Sequence, residues 1–140
     1  MLPEVDMIIR FVAAVVIGLV IGLARRHKPA GIRTFTLLCF GSAILTVISV
    51  GGPFDGYNAY DPTRVIAQIV AGIGFLGLGV IWKEGVDKPT GLTTAAAIWV
   101  TAGLGILVGL GMWLEAFIGT LLTIAILYSK APLMAAHLEK

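Results

Sequence analysis

"GLARRHKPAGIRTF", residues Gly22 to Phe35, is an island of charge in an apolar chain. Arg25, Arg26, Lys28 and Arg33 stand close together with His27 among them, and an apolar run lies on each side. The same imbalance holds along the whole chain. Of 140 residues, 58% are hydrophobic and only 13% charged, against roughly 45–50% and about 25% in soluble domains. A chain this size with so little polar cover must turn much of its surface to lipid. The basic island is then a loop between membrane spans.

Little else in the composition points elsewhere. One domain accounts for the length. A net charge of +2 gives no case for a nucleic-acid partner. Cys39 is the single cysteine, so no intramolecular disulfide forms. Glu4 and Asp6 precede the first apolar run, where a secretory signal would carry Lys or Arg. That run is therefore expected to remain in the mature protein.

A spanning helix needs roughly 20 mostly apolar residues, with about 17–25 tolerated. Five runs meet this expectation: 5–24, 34–50, 65–82, 91–108 and 112–128. The last two are separated only by Gly109, Leu110 and Gly111. Charge decides between four spans and five. With five, the segment 25–33, the loop holding Lys83 and Lys88, and the tail holding Lys130 and Lys140 share one side. The opposite side keeps only Arg64 at a span edge, while Arg10 falls inside the first span. Positive residues favour the cytoplasm, so the N-terminus is expected outside and the C-terminus inside. The expected fold is an all-α membrane protein, a compact Gly-rich bundle of about five helices forming a single transmembrane domain over 1–140. Tyr57, Tyr60 and Phe54 in the outer loop suit the interfacial belt, as do Trp82 and Trp113 at span ends. Trp99 lies mid-span and is expected to pack.

Within the third run, Gly72, Gly74 and Gly77 formally match a dinucleotide-binding pattern. That pattern needs a strand-to-helix turn and an acid about 20 residues on. Here the glycines sit inside an apolar run and the later position is Ala97. Helix packing is the better account, since small residues let backbones approach closely in lipid. Gly18 with Gly22, and Gly105 with Gly109, repeat the theme at four-residue spacing. Such faces serve a monomer core or a homo-oligomer equally well.

Polar residues inside the spans are few, and each is a candidate. Asp6 and Arg10 are four apart on one helix face, the favourable order for an ion pair. The pair either works at membrane depth or sits at the interface with Arg10 snorkelling. Gln68, Thr93 and Thr94 either bond between helices or line a polar cavity. Glu115 suits the start of the fifth helix. No catalytic constellation appears, so an enzyme is not expected. His27 and His137 lack companions at zinc-ligand spacing. Asp55 and Asp61 share the outer loop, a weak arrangement for Mg²⁺. No metal site or cofactor is expected.

"AGIRT" (Ala30–Thr34), "RVIAQIVAGIGFLGLGVI" (Arg64–Ile81) and "GLTTAAAIWVTAGLGILVGLG" (Gly91–Gly111), in that order, resemble the membrane domain of the MgtC/SapB family. The resemblance covers about residues 7–128. It implies a multi-pass protein of the bacterial inner membrane with about five spans and an outside N-terminus. It further implies a non-enzymatic regulator linked to growth in low magnesium, to virulence in some members, and to membrane energetics through the F-type ATP synthase. The matching motif positions are Gly31, Arg33 and Thr34; Arg64 and Gln68; Gly72, Gly74 and Gly77; and Gly91, Thr93, Thr94 and Trp99. Two departures stand out. The family's first span is followed by Gly-x-Glu-Arg, whereas this chain reads Gly22-Leu23-Ala24-Arg25. Virulence-type members also carry a soluble C-terminal domain, and this chain ends 12 residues after the fifth run. That pattern implies a short SapB-like member or a truncated chain.

Two functions compete. A regulator works through helix contacts with another integral membrane protein, the ATP synthase among the candidates, or with a second copy of itself, and presents an exposed small-residue face. A small ion or solute transporter or channel, related to Mg²⁺, gathers Arg64, Gln68 and Thr94 on a hydrated space, with Asp6 and Arg10 along the path. A third, blander role is a lipid-interacting structural protein; membrane lipid is a partner in every case. Arg33 is expected to fold back onto backbone carbonyls or onto an acid such as Glu84, with Thr34 capping the second helix.

Overall fold

The computed structural model describes residues 3–28, 30–51, 61–81 and 90–129. They form five helices: α1 (Glu4–Ala24), α2 (Ile32–Gly51), α3 (Pro62–Ile81), α4 (Leu92–Leu110) and α5 (Trp113–Tyr128). The described residues contain no strand. By length and composition, four of the helices can cross a membrane. α5 has 16 residues and is therefore about 24 Å long, short of the roughly 30 Å hydrocarbon core. The 17-residue fifth span expected from sequence is thus the weakest of the set.

Local chemistry sets the helix ends. Glu4 and Asp6 occupy the first turn of α1, where the positive end of the helix favours acids. Pro62 opens α3 at a position that has no use for a backbone N–H. Asp61 caps the same helix: its Oδ1 accepts the Thr63 backbone N–H at 2.9 Å and the Thr63 hydroxyl at 2.6 Å. The short break before α5 is a left-handed glycine stop. Gly111 takes φ 79°, its N–H donates to Val108, and the Met112 N–H donates to Leu107, both at 2.9 Å. This pair of bonds closes the exposed carbonyls of α4 while the chain reverses.

α4 is the centre of the bundle and packs against each of the other helices. Its core side chains Ala97, Ile98, Ala102 and Leu104 meet Ile21 of α1 and Phe35 and Leu38 of α2. Glycines make the closest approaches. A Cβ at Gly18 would lie 2.6 Å from the Cα of Thr36, and one at Gly22 would lie 2.6 Å from the Cα of Ile32. Gly109 would meet the Thr46 side chain at 2.6 Å, and Gly105 would run into the Cys39 carbonyl. These four positions bring α1 and α4 down onto the α2 backbone.

α3 is attached differently. It touches α2 and α4, yet Val70, Phe75, Leu76 and Leu78 are all exposed. A Cβ added at Gly72, Gly74 or Gly79 would meet nothing within 4 Å. Of the two roles the sequence pattern allows, the described residues show no packing within the chain at Gly72 or Gly74. Gly77 does approach a neighbour, at an ordinary 3.6 Å from the Ala95 Cβ. Trp99 departs from expectation: it is 56% exposed rather than packed. Tyr57, Tyr60, Phe54, Trp82 and the tail with His137 lie outside the described residues.

Candidate functional site

Two arginines are buried, one at each end of the α1–α4 contact. Arg10 is 8% exposed. Its Nε donates to Asp6 Oδ2 at 2.8 Å, and its Nη2 stands 2.7 Å from the same oxygen. The remaining arm crosses to α4, where Nη1 donates to the Gly109 carbonyl at 2.5 Å. A Cβ at Gly111 would come within 2.9 Å of the guanidinium. Arg10 therefore turns inward to α4. It seals the carbonyl end of α4, the end whose dipole favours a cation, and Asp6 holds it there.

Arg25 does the reverse at the far end. It follows the last residue of α1, and its backbone N–H returns to Gly22. The side chain is only 5% exposed. Its Nη2 donates to the hydroxyl of Thr94, in the first turn of α4. Its Nε is buried and has no acceptor among the described residues. No ion pair reaches it among the described residues, and the preceding residue is Ala24. Burial draws the guanidinium below its ordinary pKa, but an arginine keeps its proton in proteins. A buried cation with no counter-ion among the described residues therefore sits where two helices begin.

The two arginines show how α1 and α4 lie together. Arg10 meets Gly109 and Arg25 meets Thr94, the antiparallel order. α3 and α4 are antiparallel as well, since Gly77 lies by Ala95 and Gly91 by Val80. The starts of α3 and α4 are consequently at opposite ends of the bundle. Arg64 and Gln68 stand exposed near the start of α3, and Thr94 is buried near the start of α4. The structure does not bring these three together. Gln68 instead edges an apolar groove of about 510 Å³ between α2 and α3, shared with Leu37, Gly41, Ser42 and Gly72.

The remaining candidates are peripheral. Thr93 and Thr34 are exposed. Arg33 is exposed and makes no hydrogen bond or ion pair with any described residue, so the expected fold-back is not made onto any of their carbonyls; Glu84 lies outside the described residues. Arg25 holds the buried position that the sequence reading gave to Arg33. Buried Thr46, Thr101, Thr120 and Thr123 each donate to the carbonyl four residues back, which satisfies a hydroxyl inside its own helix. Asp61, read as a weak Mg²⁺ ligand beside Asp55, is a helix cap; Asp55 lies outside the described residues. The Thr63 hydroxyl and then its N–H hold the Asp61 carboxyl below the usual carboxylate range. Among the described residues no group of three His, Cys, Asp or Glu could hold a metal ion.

The chain matches the MgtC family over residues 11–136. It is 41% identical over 118 residues to Protein SapB of Bacillus subtilis, a match covering 80% of this chain and 51% of that one. Protein SrpB of Synechococcus elongatus is 39% identical, with 88% and 75% covered. Protein MgtC of Brucella abortus is 45% identical, with 81% and 46% covered. The match thus spans about half the length of the SapB and MgtC relatives. No solved structure matches the chain.

Proposed function

The chain belongs to the MgtC family, and from that premise we propose that it is a non-enzymatic regulator of the bacterial inner membrane. It acts by docking the open face of α3 against another integral membrane protein. The observation that carries this reading is the pattern of glycines. Those between α1, α2 and α4 are filled by neighbouring backbone, while Gly72, Gly74 and Gly79 of α3 meet nothing. In lipid, helices associate through close packing and hydrogen bonds, so the uncovered Gly72 and Gly79, on the α3 face that also carries Gln68, favour a partner helix. The separation of Arg64 and Gln68 from Thr94 argues against a transport path built on those three. The links to magnesium limitation, the ATP synthase and virulence belong to the proposal through the family resemblance.

The basic end, with Arg25, Arg26, Lys28 and Arg33, is assigned to the cytoplasm by its charge, which puts the N-terminus outside. The test pairs two measurements. Membrane co-purification of the intact protein should recover an integral membrane partner, and Gly72→Leu with Gly74→Leu should lose it while the bundle stays folded. Reconstituted vesicles should show no ion flux above protein-free controls. Robust flux abolished by Arg64→Ala would overturn the regulatory reading in favour of a transporter.

A further inference from the structure

We propose that the basic end of the bundle holds a binding site for a phosphate-type oxyanion, with the Arg25 guanidinium as its counter-ion. The site is defined by what surrounds a cation that is 5% exposed. One arm is spent on the Thr94 hydroxyl, and the buried Nε–H has no acceptor among the described residues. A buried polar group left without a partner is costly, more so when charged. The described residues offer it no carboxylate, and position 24 is alanine. The contrast with Arg10 is direct: that guanidinium has both an acid and a carbonyl.

Two helix starts lie beside this guanidinium. Thr94 lies in the first turn of α4, whose N-cap is Gly91 with no side-chain cap. Gly22, one turn before Arg25, lies against Ile32 at the start of α2, which also follows a glycine. Helix N-termini carry partial positive charge and unpaired N–H groups. The C-terminal ends of α1, α3 and α5 reach the same end of the bundle, so the helix dipoles there are mixed in sign. An oxyanion would supply the acceptor that the Arg25 Nε–H lacks among the described residues. Helix starts are ready-made for that anion, and the Nε–H with an adjacent Nη–H forms the fork that grips two oxygens at once. Exposed Arg26, Lys28 and Arg33 form a basic rim that would draw a multiply charged group toward the buried arginine.

A phosphate-type oxyanion can come from an anionic lipid headgroup or from free phosphate in the aqueous phase. Because the site rests on the Arg25 geometry alone, it stands whether or not α3 has a partner. The full chain would be placed in phosphatidylcholine nanodiscs. One arm titrates inorganic phosphate against chloride at matched ionic strength; the other replaces part of the lipid with phosphatidylglycerol. At tenfold excess over Kd the effective probe should raise the unfolding midpoint by about 4 °C. A response to phosphatidylglycerol alone assigns a headgroup, and a response to inorganic phosphate alone assigns a free anion. Arg25→Lys, which keeps the charge but loses the fork, should weaken that response at least about tenfold, whereas Arg26→Gln should weaken it less. Native mass spectrometry of the wild type gives a readout that needs no variant: one bound phosphate or phosphatidylglycerol is expected. Absence of both probes from the wild type, no midpoint shift with either, or an Arg25→Lys response equal to wild type would overturn the proposal.

Discussion

The α1–α2–α4 junction and the α3 face are written in the same letters and do opposite things. Both are apolar helices with glycines at short spacing. At the junction an added methyl group at Gly18, Gly22, Gly105 or Gly109 would strike backbone or a buried side chain. On α3, an added methyl group at Gly72, Gly74 or Gly79 would meet nothing within 4 Å. The junction is also tied at both ends, by Arg10 on Gly109 and by Arg25 on Thr94, and no such tie fastens α3 among the described residues. A glycine pattern announces that a helix can be approached closely. Whether the approach comes from the same chain is decided by the polar residues that lock neighbours in place.

The largest effect expected from this contrast is at Gly105. Gly105→Val would force three carbons into the Cys39 carbonyl and the Ser42 side chain. Overpacking a tight core costs about 1–3 kcal/mol, and an obstruction by backbone leaves little to relax. We expect a loss near the top of that range, read as a lower unfolding midpoint and less folded protein in the membrane. Arg10→Leu should come next. It removes the cation that seals α4 and leaves Asp6 and the Gly109 carbonyl without their partner. Asp6 is about one-third exposed, so water recovers part of the loss, and roughly 2 kcal/mol is expected. An Asp6→Asn variant losing as much as Arg10→Leu would show that the ion pair, rather than the α4 seal, holds this end.

Much of the fold is legible in the sequence, because lipid imposes a length and water-facing loops impose charge. The apolar runs fall within a few residues of the helices, and the GLG break is a helix stop because glycine alone readily takes φ 79° there. The site was less legible. Periodicity places Arg10 beside Asp6, but nothing local says that Arg10 also reaches across 99 residues to Gly109. The basic island hides Arg25 among Arg26, Lys28 and Arg33, since charge alone does not tell which of them lies over the bundle. One signal was available: Arg25 is four residues past Ile21 and three past Gly22, on the face that α1 buries. Trp99 misled for the complementary reason. A mid-span position says how deep a residue lies, not which way it faces.

Smaller effects test the looser half of the molecule. Asp61→Ala should destabilise the start of α3 modestly and leave the junction untouched, since it removes the acceptor for both Thr63 groups. The same contact has a pH signature. The folded Asp61 carboxyl titrates below its ordinary range, so its contribution is fully present above the unfolded pKa of about 3.9. It is lost as pH falls through the lower folded value. Amide exchange at the α3 start should therefore accelerate in that acidic window in the wild type and not in Asp61→Ala.

The smallest effect on folding should come from Gly72→Ala and Gly74→Ala. Each adds a methyl group to open space, and alanine is the better helix former by up to about 1 kcal/mol in water. The unfolding midpoint should stay level or rise slightly, opposite in sign to Gly105→Val although the substitutions are similar in kind. A fall comparable to that of Gly105→Val would mean that α3 is covered in the membrane by something its stability depends on. The variants then become the probe for that cover. If the fall depends on protein concentration in detergent, the cover is a second copy; if it appears only in native membranes, the cover is another protein left behind on purification.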